Sequence, residues 1–176
     1  MKQKIRNAVL TVLLLASVSP VLADDNDLRV EADKAITALQ NADSGLAKYF
    51  SRAAGYAVFP SVGKGGLFFG AEHGNGVVYE KGKPIGEATL TEINVGAQAG
   101  GELFYEIIFF ETADALANFK ESNFEMSAKV NAVIAAEGAS ANAKYREGVM
   151  VFTLPRTGLM AQATVGGQKF KFKPLN

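Results

Sequence analysis

Three lysines, Lys169, Lys171 and Lys173, alternate with Phe170 and Phe172 in KFKFKP. If this segment is a strand, the period of two sends the ammonium groups to one face and the phenyl rings to the other. Such a row suits an anionic surface such as phospholipid headgroups; it equally suits an edge strand that uses lysines against aggregation. Lys64, Lys81, Lys83 and Arg156 lie in segments that read as turns, and on a shared rim they would enlarge the row into an anion-binding patch. Magnitude bounds what charge alone achieves. At about 1 kcal/mol per basic residue near an anionic membrane, four lysines give ~4 kcal/mol, which is millimolar affinity. A headgroup pocket or an apolar insertion has to add the rest.

The remaining chemistry-bearing residues point away from catalysis. The single histidine, His73, sits in AEHGNG, which reads as a solvated turn, and the chain has no G-x-S-x-G element to supply a nucleophile beside it. One histidine and no cysteine cannot make a zinc site, and nothing in the sequence asks for another metal or a cofactor. Gly63-Lys64-Gly65-Gly66 is rich enough in glycine to cradle an anion but lacks the spacing of a nucleotide-binding loop. Glu106 is embedded in FYEIIFF, where an unpaired charge is costly, so it is expected on a wet face or in a salt bridge. Paired carboxylates such as Glu102 and Glu106 leave hydrolysis of envelope polymers as a rival reading.

The first 23 residues read as an address. Lys2, Lys4 and Arg6 precede an apolar stretch, AVLTVLLLASVS, and Val21-Leu22-Ala23 offers small residues for a signal peptidase. Cleavage after Ala23 would leave residues 24–176 as one domain, exported to the periplasm or secreted, at the cell envelope and peripheral to the outer membrane. The whole chain has 18 basic and 18 acidic residues; without the three basic residues of the leader, 15 face 18. That mild acidity argues against nucleic acid as a partner.

Around these residues the patterning switches from helix to strand. Leu28, Ala32, Ala35, Ile36 and Leu39 recur at helical spacing, and Ser44 reads as the N-cap of a second helix carrying Leu46, Tyr49, Phe50 and Ala53. The polar face of the first helix mixes both charge signs, which favours packing on a sheet over lying on lipid. After Gly55 come YAVF, GLFFGA, GVVYE, EATLTEINVGA and FYEIIFF, with Asn75-Gly76 and Lys81-Gly82-Lys83-Pro84 as hairpin turns. Eleven of the 18 glycines fall between Gly63 and Gly101, which is why the stretch reads as short strands and turns. Thr112 caps a short helix with Leu116 and Phe119 inward. Residues 123–134 alternate strictly and read as a strand, and GVMVFT, GLMAQATV and KFKFK complete the sheet. The expected fold is α+β: a large antiparallel sheet of about nine strands, barrel- or sandwich-like, with two N-terminal helices and one short internal helix.

The lettering also carries a resemblance. YAVFPSVGKGG, GNGVVY, LTEINVGAQAGGELFYEIIFF, NFEMSA, YREGVMVFTLPRTGLM and VGGQKFKFKP, in that order, resemble the bacterial branch of the SYLF domain family over about residues 30–174. The resemblance implies a non-enzymatic lipid-binding domain. Eukaryotic members bind phosphoinositides and, in some cases, actin; a bacterial-style leader directs this chain away from actin.

Overall fold

The computed structural model describes residues 25–121, 124–127, 130–165 and 167–175. The expected leader at 1–23 lies outside them. Helix α1 (Asp25–Ala42) is followed by a 3-10 turn (Ser44–Leu46) and α2 (Ala47–Arg52). Strands β1 (Gly55–Glu80) and β2 (Lys83–Phe110) form one very long hairpin. Then come α3 (Ala113–Lys120), β3 (Phe124–Met126), β4 (Val133–Ile134), α4 (Ala139–Asn142), β5 (Val149–Val165) and β6 (Gln168–Pro174). The described strands make a six-stranded sheet ordered β3-β6-β2-β5-β4, with β1 on the other side of β2. All pairings are antiparallel except β4 with β5.

The class is α+β as expected, but the expected nine or so strands are six among the described residues, because glycine reads as punctuation when it is accommodating close approach. Asn75-Gly76 is no turn; it lies inside β1, paired with Thr89 and Ala88. A Cβ on Gly76 would stand 2.5 Å from the Val58 carbonyl oxygen and 2.6 Å from the Phe59 ring. The second half of β1 thus presses on its own first half, with no room for a side chain between them. Register shifts between Phe59 and Val62 and between Leu67 and Phe69 mark where the hairpin bends over. The Lys81-Gly82 turn stands as read, with φ of 51° and 74°, the positive values that a two-residue hairpin loop requires.

The bent hairpin curls the sheet into an open barrel with two apolar cores. Inside, Phe59, Val62, Leu90, Ile108, Phe110 and Phe170 pack with Leu116 and Phe119 of α3, whose first turn is capped by the Thr112 hydroxyl accepting from the Ala115 N–H. Outside, Ala32, Ala35 and Leu39 of α1 cover Val58, Val77, Ile107 and Phe109, so the first helix packs on the sheet. Covered on both sides, Ile107–Phe110 are fully buried, as the continuous apolar run requires.

Two local readings change. Asp43, not Ser44, is the cap: its side chain accepts from the Gly45 N–H and, across 97 residues, from the Ser140 N–H at 2.6 Å and hydroxyl at 3.0 Å. Residues 123–134 are not one strand. β3 and β4 are three and two residues long, and between them the Val130 N–H donates to the Ser127 carbonyl. Phe124, Met126 and Val130 do join the inner core, while Ala132, outside any strand, is exposed. Ala128 and Lys129 lie outside the described residues. α4 had no periodic signal to announce it.

Candidate functional site

Alternation in β6 holds: Lys169, Lys171 and Lys173 are exposed, Phe170 is buried and Phe172 half-buried. The row faces outward opposite Thr91, Thr89 and Glu87 of β2. Lys169 forms an ion pair with Glu125 at 2.7 Å, on a strand that covers β6 only as far as Phe170. The edge-strand reading therefore applies to Lys171 and Lys173, beyond the reach of β3 among the described residues.

The seven basic residues do not share a rim. Lys64 lies within β1, not on a turn, and points inward to an ion pair with Glu72 that is nearly buried. Arg156 lies within β5, where its guanidinium donates to the Pro60 carbonyl at 3.0 Å and stands 4.7 Å over the Tyr105 ring. Lys81 and Lys83 flank the β1–β2 turn, the end of the hairpin reached by Lys173 and Pro174. The dispersal follows from strand length: residues read as loop tips are strand interiors, and only the true turn keeps its lysines at an end.

What patterning missed is the apolar continuation of the same face. The outward positions of β2 pass from Thr91, beside Lys169, to Ile93, which is 75% exposed. Leu67, paired with Ala99, is 67% exposed, and Leu103 is 39% exposed. Ala71, opposite Ile93, and Ala99 are exposed as well. Here β1, β2 and β5 run on beyond the barrel as a three-stranded arm, with Leu67 paired to Ala99 and Ala99 to Ala161. The signal was present: Ile93, Val95, Ala97, Ala99, Gly101 and Leu103 are alternate residues of one strand, and none is polar. Without a known bend, that alternation reads as a core face.

The opposite face of the sheet lines a half-open cavity of about 380 Å³. Its charged lining is Lys64, Glu72, Glu92, Glu102 and Glu106, joined by the neutral polar side chains of Ser127, Asn131, Thr153 and Gln168. Apolar walls come from Phe104, Met126, Val130, Ile134 and Val151. Lys64 and Glu72 would stand roughly 26 Å apart on a straight strand at about 3.3 Å per residue, so their contact is made by the bend in β1. Glu106 is on no wet face and forms no ion pair among the described residues: it is 1% exposed and accepts a 3.1 Å hydrogen bond from Gln168 Nε2. Burial pushes its carboxyl up to about 8; Glu72 and Glu92 add to the effect, against the Gln168 hydrogen bond and the Lys64 charge. Glu102 and Glu106 do line one cavity. The described residues contain no group of three or more carboxylates and histidine arranged to hold a metal ion. His73 is an exposed strand residue opposite Thr91, and not part of a turn.

The chain is similar to Beta cell expansion factor A of Aeromonas veronii. The two are 29% identical over 142 residues, which cover 79% of this chain and 53% of that protein. This chain thus spans about half the length of the curated relative it matches. No family model matches it. No helix among the described residues is long and apolar enough to cross a membrane.

Proposed function

We propose that this protein is exported and binds membranes peripherally, without enzymatic activity, as a lipid-binding domain of the SYLF type. It uses the outward face on which the lysine row of β6 adjoins the apolar arm. The observation that carries the reading is the exposure of Leu67, Ile93 and Leu103 on a face continuous, through Thr91, with Lys169 and Lys171. Exposed large apolar side chains grouped beside basic ones are the composition of a surface that inserts shallowly and holds anionic headgroups. The leader-like first 23 residues support export, and the SYLF resemblance supports the lipid class.

Charge and insertion together reach a useful affinity where charge alone falls short. Full burial of a Leu or Ile side chain is worth about 1.5–3 kcal/mol, so three partly exposed ones contribute on the order of 4 kcal/mol. Added to about 2–3 kcal/mol from the exposed lysines of β6, at about 1 kcal/mol each, this gives ~6–7 kcal/mol, an affinity on the order of tens of micromolar. Flotation with anionic and zwitterionic vesicles tests the reading. Wild type should float with anionic vesicles at low salt and less so as salt rises, and Lys171→Gln with Lys173→Gln should weaken flotation without altering the fold. If wild type stays at the bottom with both vesicle types, the lysines serve as edge protection and the protein as an interaction module of the envelope.

A further inference from the structure

The cavity on the inner face has an imbalance that neither the fold nor the lipid reading uses. Lys64 on its lining is committed to Glu72, and Glu106 on the same lining is paired with no cation among the described ion pairs. Glu106, 99% buried by its 1% exposure, leaves Oε1 without a hydrogen-bond partner, and Gln168 Oε1 beside it is also buried and without one. With Glu106 ionised, both orphaned atoms are acceptors. Phe104, Met126, Val130 and Val151 add apolar surface to the same cavity, and its volume of about 380 Å³ falls within the range of small-molecule sites.

We propose that this cavity binds a small organic ammonium: a primary amine cation whose N–H groups donate to Glu106 and Gln168 and whose apolar body lies against Phe104, Met126 and Val151. A donor-rich, positively charged head supplies the donors that the two orphaned oxygens lack. An anion is disfavoured by the same lining. A neutral amphiphile of equal size gains the wall and forgoes the charge.

The groups facing Glu106 define how binding couples to pH. β1 presents Lys64 and Glu72, β2 presents Glu92 and Glu102, and β6 presents Gln168; the cavity residues of β3, β4 and β5 are Met126, Ile134, Val151, Thr153 and Pro155, none of which titrates. In the empty cavity Glu106 keeps its proton at neutral pH, because its carboxyl titrates near 8. An ammonium takes the place of that proton, so binding releases it, and affinity rises up to about tenfold per pH unit below that value.

The experiment is calorimetry in solution, without vesicles, using n-hexylammonium as the probe and n-hexanol as its neutral counterpart. Hexylammonium should bind in the micromolar to millimolar range with proton release, seen as a heat that depends on the buffer's ionisation enthalpy, and hexanol at least tenfold more weakly. Glu106→Gln preserves size and a hydrogen-bonding amide; it should weaken hexylammonium at least tenfold and abolish the pH dependence. Saturation by hexanol as tight as by hexylammonium, unchanged binding in Glu106→Gln, or no binding up to about 10 mM probe would each overturn the proposal. Should the variant fail to fold by circular dichroism, the hexylammonium-to-hexanol ratio and the wild-type pH slope decide alone. Vesicle binding is not read here, so this result is independent of the lipid reading.

Discussion

Gln168 Nε2 donates a 3.1 Å hydrogen bond to Glu106 Oε2, although the backbone of Gln168 is paired with Glu92, far back along the same strand. Only a strand that bends over on itself lets one β6 residue meet β2 at both places. The remaining oxygens of this pair, Glu106 Oε1 and Gln168 Oε1, are buried acceptors, and one proton on Glu106 supplies the donor that the two lack.

That proton makes stability pH-dependent in a definite direction. The folded-state value of about 8 lies above the ordinary 4.5, so the native protein holds an extra proton between them. The associated stability is fully present below about 4.5 and is lost as pH rises through about 8. Urea unfolding should show wild type losing on the order of 3–5 kcal/mol between pH 5 and pH 9 relative to Glu106→Gln, which stays neutral throughout. Parallel profiles for the two proteins would mean that Glu106 is charged and solvated in solution.

Asp43 should show the opposite dependence. Burial acts to raise its carboxyl, but hydrogen bonds from the Ser140 N–H and hydroxyl, Gly45 and Gly138 outweigh that and hold it below the ordinary 3.8. Its stabilisation is present at neutral pH and is lost as pH falls through that region. Asp43→Ala removes the acceptor of three donors, the Gly45 and Ser140 N–H groups and the Ser140 hydroxyl, and should cost roughly 3–5 kcal/mol at pH 7; Ser140→Ala, which removes one hydroxyl, should cost about 1 kcal/mol. Chevron or equilibrium urea curves distinguish the two. Similar losses in both would show that Asp43 is not the anchor of the helix junction.

Much of the architecture was legible in the sequence because it depends on local period. The helical stripe of α1, the Thr112 cap, the doubly buried FYEIIFF run and the KFKFK alternation are all properties of consecutive residues. The bend of β1 was not legible. Gly74 and Gly76 are required by the Ser61, Val58 and Phe59 atoms that pass over them, and nothing beside them in the chain announces that neighbour. The same bend turned Lys64 and Glu106 inward and carried Arg156 away from the lysine row, so a basic patch drawn from turn-like segments dissolved into two surfaces. The Asp43–Ser140 anchor spans 97 residues and has no local signature.

The crossing itself can be tested at two glycines of different kinds. Gly76→Ala places a methyl 2.5 Å from a backbone oxygen, so the sheet must open there, at a cost of at least about 3 kcal/mol. Gly82→Ala meets nothing within 4 Å and suffers only its φ of 74°, at a cost of about 1 kcal/mol. Thermal unfolding of the two variants measures the difference. Equal midpoints would contradict a hairpin folded against itself.

The most direct measurement of the membrane reading uses the fact that the sequence contains no cysteine, so a single introduced one is a unique label site. Ile93→Cys and Leu67→Cys carry a polarity-sensitive fluorophore on the arm, and Asn118→Cys, on the exposed side of α3, serves as reference. With anionic vesicles, the labels at positions 93 and 67 should shift to the blue and be quenched by lipid-borne quenchers, while the label at 118 stays in water. A shift at 118 with none at 93 and 67, or no shift anywhere while the protein floats with vesicles, would place the lipid contact elsewhere and contradict the assignment of this face.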